Sequence, residues 1–135
     1  MVVEAAQRDE PAWKDDGVEI FVRSDRQPEK WAQLVINPAG VLFDQLFDEQ
    51  AKGGGPWIGY NFDCEWAAQI QPDRWTAELR IPLDEIGISP ADGSILRMNF
   101  VRNVVGGSSE ISTWYPEPIP SAHAALFNQG WVILH

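Results

Sequence analysis

The sequence predicts one small all-β domain, a two-sheet antiparallel β-sandwich of seven or eight strands with one short helical turn, spanning residues 1–135. Three observations carry this. The chain is 135 residues and 15.2 kDa, the size of a single domain, with a hydrophobic fraction of 44% that supports a core. Ten prolines and eleven glycines punctuate it often, which favours short strands over long helices. Several segments alternate apolar and polar residues with the period of two that a half-buried strand requires.

The first strand falls at residues 18–23, after the turn signal Asp15-Asp16-Gly17. Val18, Ile20 and Val22 point to one side, and Glu19, Phe21 and Arg23 to the other. A polar break over 24–30 leads to a second strand at 31–36. Asn37-Pro38-Ala39-Gly40 makes a tight turn, because Pro presets φ and Gly accepts positive φ, and 41–47 returns as the hairpin partner. The glycine run from Lys52 to Trp57 reads as a surface loop. A second hairpin joins 64–70 to 75–81 through Gln71-Pro72-Asp73-Arg74. Its return strand sets Trp75, Ala77, Leu79 and Ile81 on one face, and Thr76, Glu78 and Arg80 on the other. Pro82 to Ile86 suits a helical turn stopped by Gly87, and further strands follow at 94–104, 110–114 and 131–134.

Composition narrows the function. The net charge is −10, from 20 acidic and 10 basic residues, which repels nucleic-acid phosphates and anionic lipid. No run of about 18 apolar residues exists to insert in a membrane, and the N-terminus is too polar for a signal peptide. The one cysteine, Cys64, excludes an internal disulfide and reads as inert core. The common signatures of hydrolases, nucleotide-binding proteins and zinc proteases are absent, and only His123 and His135 are available for histidine chemistry, so the chain is read as no enzyme. Paired acids at Asp15/Asp16 and Asp84/Glu85 are the sole hint of hydrolytic carboxylates, and adjacent acids in turns are ordinarily solvated surface. The seven tryptophans are the compositional feature that stands out. Trp31, Trp75 and Trp131 lie on strands and are expected in the core, while Trp13, Trp57 and Tyr115 lie near turns. Glu78 is expected to pair with Arg97 or Arg102.

A set of short motifs in fixed order completes the reading. They are Trp13-x-Asp15-Asp16-Gly-Val-Glu19-Ile-Phe-Val22, Trp31-x-x-Leu-Val-Ile-Asn37-Pro-x-Gly40, Arg74-Trp75-Thr-Ala-Glu78-Leu-x-Ile81-Pro82, Arg97-x-Asn99-Phe-x-Arg102 and Glu110-x-Ser-Thr-Trp114. Over residues 12 to 134 the chain resembles carbohydrate-binding module family 9, a sandwich related to the DOMON and cytochrome-type domains. The resemblance implies a sugar held between two aromatic rings, with polar side chains on its hydroxyls. Trp13 matches one clamp position, Glu19 an acidic contact and Gln33 a polar contact on the neighbouring strand. The other side of the clamp is expected from the stretch after Trp114, which offers Trp114 itself, Tyr115 and His123. Family members carry structural calcium, so Asp15 and Asp16 are either its oxygen ligands or the acceptors of a capped turn. An extracellular or periplasmic location is also implied. Related sandwiches hold haem, for which Met98 and His123 are the candidate ligands. Two departures stand out: only about a dozen residues precede the Asp-Asp strand, where the family has several strands, and Phe127-Asn128-Gln129-Gly130 replaces the usual Phe-Gly. The first departure leads us to expect an open sheet edge, closed by a homodimer. The alternative function is an assembly module of the same fold without a working sugar site.

Overall fold

The computed structural model of the chain describes residues 1–50, 55–58 (by backbone alone), 60–89, 93–116 and 129–134. Among these, nine strands form: β1 (Gly17–Ser24), β2 (Lys30–Ile36), β3 (Leu42–Asp48), β4 (Gly55–Ile58), β5 (Glu65–Ile70), β6 (Trp75–Arg80), β7 (Ile95–Val104), β8 (Glu110–Thr113) and β9 (Gly130–Ile133). Single 3-10 turns at Ala12–Lys14 and Leu83–Ile86 are the helical elements found there. The protein is an all-β sandwich of two antiparallel sheets.

The large sheet runs β4-β3-β2-β1-β7-β8, and β9 pairs with the first part of the long β7 on the same side as β8. The second sheet is the β5–β6 hairpin. The segment read as a glycine loop contributes β4, which pairs with the edge of β3. Pro56 is tolerated there because an edge strand need not donate on both sides. The Asn37–Gly40 turn forms as its residues dictate, with Gly40 at φ +80° and its N–H donating to Asn37 O at 3.0 Å. The helical turn at Leu83–Ile86 ends on Gly87 in the left-handed region at φ +76°.

The inner face of the large sheet supplies Ile20, Val22, Ala32, Leu34, Ile36, Leu42, Leu46 and Leu96, all buried, and the hairpin packs Trp66, Ala68, Trp75, Ala77, Leu79 and Ile81 against them. Two strands cannot cover a sheet of seven. Along the open edge of β6 a groove of about 460 Å³ remains, floored by Val18, Ile20, Met98 and Phe100 and walled by Trp75 and Leu79. Among the described residues the β6 edge of the second sheet is left without a neighbouring strand.

Residues 1–16 pack on the other, outward face. Ala5 and Ala12 join Val35, Val41 and Phe43 in a second cluster. Three buried aspartates hold this segment. Asp15 accepts from Glu4 N (3.0 Å), Ala5 N (3.1 Å) and Asn37 Nδ2 (2.9 Å). Asp16 accepts from Val2 N (2.8 Å), Val105 N (2.6 Å) and Gly106 N (3.4 Å). Burial raises the Asp16 pKa, but these three N–H bonds and the chain's terminal ammonium outweigh it and hold the carboxyl below its ordinary value. Asp44, on the inner side of β3, takes both Arg8 Nε (3.0 Å) and an Arg8 terminal nitrogen (2.8 Å).

Two tryptophan assignments change. Trp75 is only partly buried, because it lines the groove. Trp131 is 54% exposed, because β9 is a four-residue edge strand and the Arg97 guanidinium, rather than a second sheet, lies over its ring at 3.9 Å. Arg97 pairs with Asp25 (2.9 Å) and Arg102 with Glu110 (3.4 Å), so Glu78 is partner to neither. Cys64 is buried, and burial first, then Asp44, pushes its thiol up to about 11.

Candidate functional site

Alternation along β1 turns Glu19, Phe21 and Arg23 outward, and the pairing register extends each into a row across the sheet. The first row is Val101, Glu19, Val35 and Phe43; the second is Asn99, Phe21, Gln33 and Gln45. The third is Arg97, Arg23, Trp31 and Phe47, with Trp131 beside Arg97. Phe21 and Val101 form a small buried apolar centre with Trp31 against it.

A chain of side-chain hydrogen bonds crosses these rows. Asn103 Nδ2 donates to Glu19 Oε1, Gln33 Nε2 donates to Glu19 Oε2 at 2.7 Å, and Gln45 Nε2 donates to Gln33 Oε1. Glu19 is 2% exposed, so its carboxylate is spent on orienting amides. Gln33 is half-buried and is the member of the chain that reaches the surface with a fixed amide.

Aromatic rings border this polar strip. Trp13, 41% exposed, stands edge-on to Phe43 at 4.5 Å between centroids. Trp31 stacks on Phe47 at 3.5 Å. On the β7 side, Asn99 fixes the Tyr115 backbone, accepting from its N at 2.9 Å and donating to its O at 3.4 Å, and Tyr115 is 40% exposed. Trp13 and Tyr115 thus stand at opposite ends of the rows that contain Glu19 and Gln33.

Trp114 is elsewhere. Its ring meets Phe100 at 5.8 Å, and Phe100 is paired with Ile20 and lines the groove on the inner face. His123 lies outside the described residues, as does the stretch 117–128. Met98 lines the groove. Asp15 and Asp16 do not fit a calcium site: their oxygens already accept N–H bonds, a donor set that opposes a cation. Among the described residues no group of three or more His, Cys, Asp or Glu is placed to hold a metal.

Sequence reasoning did not single out Arg23, Gln45, Asn103, Gln129 or Trp131. The available signal was parity: Arg23 follows Glu19 by four residues on a strand and shares its face. The side-chain environment of Arg23 and Gln129 had no such signal. Among the described residues the Arg23 Nε is enclosed without a partner, and both amide atoms of Gln129, a residue 4% exposed, lack one.

No helix among the described residues is long and apolar enough to cross a membrane. No family profile and no curated protein sequence matches the chain. Among solved structures the chain is similar to a protein of Bacteroides uniformis, described as a "putative carbohydrate-binding protein", with a TM-score of 0.71 and 16% identity. The match covers 99% of this chain and 67% of that one. At 16% identity the likeness is one of fold, and this chain spans about two thirds of the length of that one.

Proposed function

We propose that the chain is a single non-catalytic carbohydrate-binding module of the family 9 type, which takes a mono- or oligosaccharide on the outward face of its large sheet. The observation that carries this reading is the strip of oriented amides around Glu19 and Gln33, bordered by exposed rings at Trp13, Tyr115 and Trp131. A pyranose has apolar C–H faces that pack on an indole, and an equatorial rim of hydroxyls that pair with amides. The motif order and the fold shared with the Bacteroides protein support the same reading.

Titration of intrinsic tryptophan fluorescence with a panel of mono- and oligosaccharides tests it. A saturable change is expected, and Trp13→Ala should weaken it roughly tenfold, the usual order for removing an aromatic anchor. Unchanged binding in Trp13→Ala would remove Trp13 from the site.

A second reading, an assembly module, draws on the apolar groove beside β6. Here a homodimer closes the open edge. Light scattering at high concentration decides it: a mass of one chain rules the dimer out.

A further inference from the structure

Arg23 is the misfit of the outward face. Its guanidinium is half-buried, its Nε is enclosed, and it makes no hydrogen bond or ion pair within the described structure. Its cross-strand neighbours are Trp31 on one side and a second cation, Arg97, on the other. Arg97 has its charge met by Asp25 at 2.9 Å and its flat face laid on Trp131. Asp25 and Glu49 are the acids whose fields reach Arg23; the first is taken by Arg97 and the second is exposed at the end of β3. Burial, then the neighbouring Arg97 charge, draws the Arg23 pKa below its ordinary value. Five fixed donors on a partly desolvated cation beside another cation are unfavourable without a counter-charge.

The surroundings say what kind of counter-charge fits. A guanidinium is a planar fork matched to a carboxylate. Arg23 stands in one row with the rings of Trp31 and Trp131, and the next row carries the oriented Gln33 amide. Gln129, two residues before Trp131 and of the same strand parity, adds a buried amide whose Nε2 and Oε1 have no partner among the described residues. A cation, two indoles, the oriented Gln33 amide and the Gln129 amide together suit a sugar that bears an acid.

We infer that the outward face takes an acidic sugar, a hexuronate unit of an oligosaccharide, whose carboxylate pairs with Arg23. This rests on the carbohydrate reading above and narrows its ligand class. The net charge of −10 sharpens the point, since a chain that repels anions elsewhere keeps here a cation unpaired among the described residues.

The test is calorimetric titration of the whole chain with oligosaccharides of galacturonic or glucuronic acid, their neutral galactose and glucose counterparts, and sulfated galactose oligosaccharides. The uronates should bind at least about tenfold more tightly than the neutral sugars. Arg23→Gln should abolish that preference, while Arg23→Lys keeps part of it. Because Arg23 has no hydrogen-bond or ion-pair partner among the described residues, the melting temperature of Arg23→Gln should not fall; if it does, the wild-type ranking of ligands decides alone. Neutral sugars binding as tightly as uronates would overturn the acid assignment and leave the carbohydrate reading standing. Preference for the sulfated sugars would overturn the carboxylate assignment. A folded Arg23→Gln that keeps the preference would overturn the role of Arg23. Binding of no sugar at all would overturn this inference and the carbohydrate reading together.

Discussion

Removing the Arg8 side chain is the perturbation whose cost the structure defines best. Asp44 has a fully buried side chain, and Arg8 meets it with two parallel bonds at 3.0 and 2.8 Å. The same guanidinium donates to Phe62 O at 2.9 Å and lies 5.1 Å from the Trp66 ring centroid. Arg8→Ala leaves the Asp44 carboxylate with the Phe62 N–H at 2.7 Å as its remaining hydrogen bond among the described residues. Breaking a buried pair by deleting one partner costs about 3–5 kcal/mol. Arg8 is 30% exposed, so solvent screens the pair and the lower end, about 3 kcal/mol, applies. Against a total stability of about 5–15 kcal/mol that is a large share, and at about 4 °C per kcal/mol the melting temperature should fall by about 12 °C. Urea denaturation with an unchanged m-value should give the same free energy. A double-mutant cycle with Asp44→Ala should show a coupling of at least about 2 kcal/mol. A single-mutant cost under about 1 kcal/mol, with negligible coupling, would refute the reasoning.

Three further outcomes follow from local geometry. Asp16 has a folded pKa below its unfolded one, so the stability it contributes is present above about pH 4 and is lost as pH falls through the folded value; Asp16→Asn should flatten that acid limb in denaturant titrations by about 1–2 kcal/mol. The Cys64 thiol, raised to about 11, should resist alkylation by iodoacetamide at pH 8 until denaturant is added, and stability should decline as pH climbs from about 9 towards 11, where the unfolded thiol ionises first. Gly130→Ala would place a Cβ 2.8 Å from the Trp114 ring; since that ring is 55% exposed it should swing aside, shifting tryptophan emission at a cost below about 1 kcal/mol in thermal melts.

Much of the fold was legible because its strands carry strict alternation. Trp75, Ala77 and Leu79 against Thr76, Glu78 and Arg80 leave one way to lay β6 on a core. β4 was not legible, because its opening Gly55-Pro56 has no β propensity, and its strand state comes from pairing with the β3 edge. Trp131 misled for another reason: its bulk suggests a core position, but it shares the parity of Arg97 and faces outward, away from the second sheet. In the candidate site, the side on which Glu19 lies followed from parity, and Gln33 was named from the family resemblance. Their mutual bond, and the isolation of Arg23, depend on cross-strand register, which joins residues 14 and 74 positions apart in the pairs Glu19–Gln33 and Arg23–Arg97.

Acceptors of hydrogen bonds, more than apolar burial, fix the N-terminal segment and with it Trp13. Ala5 and Ala12 are its buried apolar side chains, and two methyl groups contribute little. The segment is therefore expected to open as a unit, separate from the sandwich. Asp15→Ala deletes the acceptors of Glu4 N and Ala5 N and leaves the Asn37 amide with Ala5 O alone, a loss of about 2–3 kcal/mol concentrated on one segment. Hydrogen exchange should then accelerate by at least about tenfold over residues 2–14, while β1 and β2 keep their protection. Sugar affinity should fall with it, since Trp13 rides on this segment at the edge of Phe43. Uniform acceleration across all strands would mean instead that residues 1–16 are an inseparable layer of the sandwich, with Asp15 acting on the whole fold.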